Sequence, residues 1–91
     1  MNPSFEHDPV RQRMTCTVDD SLSVLDYDLS GSLMTITHTG VPSALRGRGI
    51  AAGLTRFALD IARREGWRVR PLCSYADAYI QTHPEYQDLL A

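Results

Sequence analysis

Apolar and polar residues alternate through the first forty positions, and near residue 50 the pattern switches to the three-to-four spacing of a helix. From Val10 to Val18, Met14, Cys16 and Val18 fall on one side and Arg11, Arg13, Thr15 and Thr17 on the other, which predicts a half-buried strand. Asp19-Asp20 suits a turn. Leu22 to Leu29 reads as a second strand with Leu25, Tyr27 and Leu29 on one face, and Ser30-Gly31-Ser32 as a short hairpin connection. Leu33 to Thr39 returns as a third strand that places Met34, Ile36 and His38 together, opposite Leu33, Thr35, Thr37 and Thr39. Ahead of these, Met1 to Pro9 has little periodicity and two prolines and reads as a loose lead-in.

The helical pattern runs from Gly49 to Glu65. Ile50, Ala51, Leu54, Phe57, Ala58, Ile61 and Ala62 form a core-facing stripe, with Leu54, Phe57 and Ile61 as its main anchors. Thr55, Arg56, Asp60, Arg63 and Arg64 fall on the opposite face. Gly66 stands where a left-handed cap needs glycine, and Arg63 and Arg64 sit where the carbonyl end of the macrodipole favours cations. Trp67 to Leu72 is then a short strand. Strand, long helix and strand make a crossover, so this fourth strand lies parallel to the third. Ser74-x-x-Asp77 resembles a capping box opening a further helix, with Tyr75, Ala76, Tyr79, Ile80 and His83 on or near its inner face. Pro84 interrupts it, and Glu85 to Leu90 forms a last turn or two. The expected fold is α/β (α+β): a meander of three antiparallel strands, a crossover helix, a fourth strand parallel to the third, and short C-terminal helices.

Charge adds a division that the net value of -2 conceals. All nine basic residues are arginines, and seven lie between Arg46 and Arg70, opposed there only by Asp60 and Glu65. Residues 1 to 40 hold six carboxylates against Arg11 and Arg13. The anion-binding half is therefore the second one. Within it, Gly47 and Gly49 precede the long helix, whose first N–H groups lack partners, so Arg46 to Ala51 makes a plausible phosphate cradle flanked by Arg46 and Arg48. The plainer reading is that both glycines merely allow a tight loop into a helix. A solvated helix face accounts for Arg56, Arg63 and Arg64. Nucleic acid is disfavoured, because no aromatic platform is interleaved with the arginines.

The order strand, Arg-x-x-Gly-x-Ala, long helix, strand and short helix resembles the central motif of the GNAT acyl-CoA N-acetyltransferases. The similarity is greatest to the very small single-domain members, the YjdJ-type N-acetyltransferase-like proteins. It rests on His38 to Pro42, on Arg46 to Ile50, on Pro71 to Cys73, and on Tyr79 to Tyr86 (Tyr-Ile-x-x-His-Pro-Glu-Tyr), and covers roughly residues 22 to 90. Where the family usually has an acidic residue between the His-Thr and Val-Pro pairs, this chain has Gly40. The resemblance implies a minimal GNAT-like fold and acetyl-CoA or CoA as cofactor. It implies a bulged strand end at Thr39, Gly40 and Val41 facing the acetyl carbonyl, and Arg46, Gly47, Arg48, Gly49, Ile50 and Ala51 around the pyrophosphate. The third and fourth strands are expected to splay so that the pantetheine arm enters between them, beside Cys73.

Three residues are candidates for chemistry. Tyr79 lies close to where the superfamily often places a tyrosine that protonates the leaving thiolate; ordinary helix packing explains it equally well. His38 is either a hydrogen-bonded, partly buried histidine or a proton-transfer group. Cys73, just before a helix N-terminus and near Arg70, is open to three readings: nucleophile, cofactor-lining thiol or packing residue. The expected activity is transfer of an acetyl group from acetyl-CoA to a primary amine. The alternatives are a CoA-binding module with little turnover, or an interaction domain that reuses the fold. Ninety-one residues support one domain, 1–91, and the acceptor side is left to a second copy, a partner protein or an open face. No run of about 18 apolar residues is present, and the N-terminus lacks the basic-then-apolar order of a secretory signal, so a cytoplasmic address is expected. Cys16 and Cys73 have no paired metal-ligand spacing and read as free thiols.

Overall fold

Residues 3–91 are described by a computed structural model. Five strands form one sheet in the order β1 (Ser4–Asp8), β2 (Arg13–Val18), β3 (Ser21–Ser30), β4 (Leu33–Gly40) and β5 (Arg68–Pro71). The first four are antiparallel neighbours, and β5 runs parallel to β4, as a crossover requires. The 16-residue helix α1 (Ile50–Glu65) makes that crossover, and α2 (Ser74–Gln81) and a 3-10 helix (Pro84–Leu89) follow β5. No helix among the described residues is long and apolar enough to cross a membrane.

The period-two pattern becomes the core. Met14, Cys16, Leu25, Met34 and Ile36 are fully buried beneath Leu54, Ala58, Leu59 and Ala62 of α1. Asp19 and Asp20 form the β2–β3 turn with φ of 48° and 64°, and short polar side chains of this kind tolerate the left-handed region. Gly31 does the same for the two-residue loop between β3 and β4, at φ 61°.

Four expectations are corrected. The lead-in reading of Met1 to Pro9 fails at Ser4–Asp8, which pairs antiparallel with β2; residues 1 and 2 lie outside the described residues. Phe5 accounts for that pairing: its ring packs on Phe57 at 5.6 Å between centroids and over Gly53, where an added Cβ would come within 2.9 Å of it. Phe57 is consequently half-buried at the margin of the core, and Leu59 takes the central place. Thr55, assigned to the polar face, is fully buried, because its hydroxyl donates to the Ala51 carbonyl one turn back at 2.8 Å. Finally, the Ser74–Asp77 capping box does not form: Cys73 occupies the N-cap and Ser74 is already helical.

The C-terminus folds back on the open edge of β5. Ala91 N–H donates to the Val69 carbonyl, and Leu90 bridges to Val69. Arg63 holds this segment through both carboxylate oxygens of Asp88, at 2.9 and 3.0 Å, and the Glu85 carbonyl at 2.6 Å.

Burial orders the cost of truncating α1. Leu54→Ala is expected to lower the unfolding free energy by about 3 kcal/mol, and the half-buried Phe57→Ala by less. Urea denaturation of both variants checks this; a larger loss for Phe57→Ala would reverse the assignment of the buried face.

Candidate functional site

The loop before α1 is shaped by two left-handed glycines. Pro42 leads a 3-10 turn, Ser43–Leu45, pinned by the buried Leu45, and the chain then extends at Arg46. Gly47 and Gly49 follow at φ of 83° and 76°, a region that costs other residues roughly 1–2 kcal/mol. Gly49 is the N-cap of α1, without a side-chain cap and without an acidic residue in the first turn. Among the described residues, no acceptor is hydrogen-bonded to the backbone N–H groups of residues 47 to 52. They form a concave nest at the positive end of a 16-residue helix.

A Cβ added at Gly47 or Gly49 would meet no heavy atom within 4 Å, so the space in front of the nest is open. There lies a groove of about 260 Å³, lined by Val41, Arg46, Gly47, Gly49, Ile50 and Ala51, with Tyr75 as its far wall. Six of the residues expected around the cofactor are thus brought together. Arg48 points elsewhere, its Nη1 3.9 Å from Asp19 Oδ2 in an exposed contact. Tyr75, 40% exposed on the first turn of α2, was not among the expected site residues; the signal for it was its position two residues after Cys73.

A second feature lies where β4 and β5 part. Their pairing ends at Ile36↔Pro71, and the Ile36 carbonyl accepts both the Leu72 and the Cys73 N–H at 3.0 Å. Opposite, the β3–β4 ladder is interrupted, because Tyr27 faces Ile36 but Asp26 faces His38, leaving Thr37 as an extra residue. The bulge reverses the alternation beyond it. Thr39 pairs with the buried Leu25 and brings Oγ1 to 3.6 Å from Cys73 Sγ. His38, expected beside Met34 and Ile36, is instead exposed on the other face. Its Nε2 would lie 3.0 Å from a Cβ at Gly40.

Cys73 is the more activated of the two thiols. Burial pushes it up, but the Ala76 N–H, the Thr39 hydroxyl and the Tyr75 and Thr39 N–H groups together outweigh this and hold it below the usual cysteine value. These N–H groups act on the sulfur electrostatically; no side-chain hydrogen bond closes the helix start. Cys16, fully buried on β2, is pushed up by desolvation.

Tyr79 stands apart from this pair. Its ring stacks on His83 at 3.8 Å, and no hydrogen bond joins it to Cys73 or Thr39 among the described residues. Burial raises its hydroxyl above the ordinary tyrosine value, against the lowering influence of Arg56. It lines an open groove of about 410 Å³ along α1, together with Arg56 and Asp60.

Residues 13–89 match the family described as GCN5-related N-acetyl-transferase. The chicken and human proteins called Protein NATD1 are each 35% identical over 82 residues, covering 87% of this chain and 74% and 73% of theirs. The zebrafish protein of that name is 33% identical over 86 residues, covering 89% of this chain and 78% of its own. In structure, a GCN5-like protein from Staphylococcus aureus matches with a TM-score of 0.77 over 97% of this chain and 87% of that one. At 22% identity it speaks for the fold alone.

The environments of the two cysteines predict selective alkylation. In native protein, iodoacetamide is expected to modify Cys73 and spare Cys16, with a half-maximal rate below the pH of about 8.5 typical of a free thiol. Thr39→Val should move that midpoint upward, since it removes a donor that favours the thiolate. Peptide mass mapping across pH reads both effects, and equal labelling of Cys16 in folded protein would contradict them.

Proposed function

The chain belongs to the GCN5-related N-acetyltransferase family, and we propose that it binds acetyl-CoA through the Arg46–Ala51 loop and transfers the acetyl group to a primary amine. The observation that carries this reading is the nest of unpartnered N–H groups at Gly47 and Gly49, opening on a groove beside the end of the parallel strand pair. The residues present fit the group. A diphosphate needs close approach to backbone donors, and neither glycine carries a side chain that would fill the approach.

When bound, acetyl-CoA supplies a thioester carbonyl open to attack by an amine and a thiolate that departs. The chain's own contributions follow from placement. N–H groups of residues 47 to 52, with Arg46, neutralise and orient the phosphates. Thr39, Gly40 and Val41 line the strand end past the bulge, and Cys73 lines the opposite side of the gap as a polarised thiol. His38, exposed on the other face of the sheet, is free to take a proton from an incoming amine. Gly40 leaves the room its ring occupies, at the position where related chains usually carry an acidic residue. Tyr79 keeps its proton at neutral pH and is the candidate acid for the thiolate. A cytoplasmic setting is consistent with two free thiols. The whole chain acts as one domain, and a second copy or a partner protein would complete the acceptor side.

One observation favours a second reading, a CoA-binding module without efficient turnover: Tyr79 and His38 are not brought to the Cys73–Thr39 pair. Calorimetric titration with acetyl-CoA and CoA, followed by thiol release with a panel of amines, separates the two. The chain contains no lysine, so acetylation of its own lysines cannot imitate turnover.

Gly47→Val is expected to weaken CoA binding tenfold or more, about 1.4 kcal/mol; no neighbouring atom is displaced, but φ of 83° strains a β-branched residue, so circular dichroism and thermal melting establish that the variant is folded before its binding is compared. Arg11→Ala, at the far end of the sheet, serves as the control. A folded Gly47→Val protein that binds CoA like the parent removes the loop from the site.

A further inference from the structure

We infer that the acceptor is an α-amino acid with an apolar side chain, whose carboxylate is received by Arg70 on the uncovered face of the sheet; this rests on the acetyl-CoA reading above. The helices α1 and α2 both pack on the face that carries Met34 and Ile36. The other face carries Thr15, Val24, Thr35, His38 and Arg70, none of them buried. With Cys73, Thr39 and the cofactor groove on the inner side of the gap between β4 and β5, the open face is the side left to an incoming amine.

The approach is framed first by apolar surface. A Cβ at Gly40 would come within 3.0 Å of His38 Nε2 and 3.7 Å of Val24 Cγ2, so an imidazole and a branched side chain converge over bare backbone. Leu22, the next outward position along β3 from Val24, is 50% exposed. Leu72, whose N–H donates to the Ile36 carbonyl where the strands part, is 60% exposed. These two large apolar side chains stand in solvent on either side of the gap.

Charge then selects the acceptor. The carboxylate beside His38 belongs to Asp26, its cross-strand neighbour, and the Arg13 guanidinium holds it at 2.6 Å. Gly40 offers no carboxylate of its own. Arg70, by contrast, has no ion pair and no side-chain hydrogen bond among the described residues. It pairs with Thr35 one residue before the β4–β5 ladder ends, and Leu72 lies two residues on, roughly 7 Å along the strand. Asp28 shares that row, but Thr35 separates it from Arg70 and no ion pair joins the two. An amine at the gap is therefore met by a free guanidinium and by no free carboxylate. This disfavours polyamines and fits an acceptor that brings its own anion, since guanidinium and carboxylate match as a two-pronged fork. In the transfer, the α-amino nitrogen attacks the thioester carbonyl, the C–N bond forms as the C–S bond breaks, His38 takes the proton lost by nitrogen, and CoA departs as the thiolate.

Leucine and isoamylamine differ only in the carboxylate, so their ratio reads the charge directly, and spermidine represents the polycations. With acetyl-CoA, thiol release by the parent should favour leucine over isoamylamine roughly tenfold in kcat/KM, with spermidine poorer still. Arg70→Gln should bring the first ratio to about one, and Arg70→Lys should keep most of it. Apart from turnover, leucine added to protein saturated with CoA should shift the amide resonances of Gly40, Arg70 and Leu72. The acceptor assignment is wrong if isoamylamine or spermidine serves as well as leucine, if Arg70→Gln retains the preference, or if leucine neither turns over nor shifts those amides. In each case CoA binding in the calorimeter keeps the acetyl-CoA reading. If CoA does not bind the parent, both fall.

Discussion

A single carbonyl ends the parallel ladder, and the geometry of the site depends on it. Ile36 accepts the N–H groups of both Leu72 and Cys73, so the chain after β5 can no longer follow β4 and must turn away. Two consequences meet at that point. The last residues of β4 lose their neighbour on one side, and α2 begins immediately with Cys73 as its N-cap. Because the β4–α1–β5 crossover returns the end of β5 and the start of α2 to the end of the sheet where α1 begins, two helix N-termini face the place where the strands diverge. Backbone donors and positive dipole ends are concentrated there before any side chain is considered.

The charge distribution supports the same end without crowding it. Most of the arginines outside this region have carboxylate partners: Arg11 with Asp8, Arg13 with Asp26, Arg63 with Asp88 and Arg64 with Glu65. Arg46 and Arg56, flanking the open N–H groups, have none among the described residues. Arg48 lies between these cases, touching Asp19 at a distance and exposure where an ion pair is worth little. It ties the acidic β2–β3 turn loosely to the loop and leaves the nest uncovered.

The antiparallel meander, the crossover helix and the glycine loop were legible because each depends on strict local chemistry. Period-two burial, a left-handed cap at Gly66 and positive φ at Gly47 and Gly49 leave few alternatives. What escaped notice depends on contacts between distant segments. A one-residue bulge at Thr37 is invisible to a period-two reading, yet it exchanges the faces of His38 and Thr39, and that exchange decides which of them meets Cys73. β1 was missed because its anchors are few, Phe5 on Phe57 and His7 on the Tyr27 hydroxyl, and the reason for the burial of Phe5, a bare patch at Gly53 beside Phe57, lies nearly fifty residues away. Thr55 escaped because a hydroxyl satisfied by its own helix can be buried like a methyl group.

Helix α2 then links regions that the sequence treats separately. Cys73 stands at its start beside the strand gap, Tyr75 on its first turn walls the nest, and Tyr79 on the next turn lines the outer groove. Eight residues cannot hold this alignment through helix propensity alone. The alignment is held from beneath by Ala76 and Ile80, both fully buried, and from its far end by the Tyr86 hydroxyl on Asp60 of α1. Desolvation, followed by its hydrogen bond to the Asp60 carboxylate, pushes the Tyr86 hydroxyl up to about 12, so this tie keeps its proton throughout the neutral range. A tilt of α2 would therefore move the thiol, the groove wall and the Tyr79 hydroxyl together, making the three regions one mechanical unit even though no hydrogen bond connects Cys73 to Tyr79.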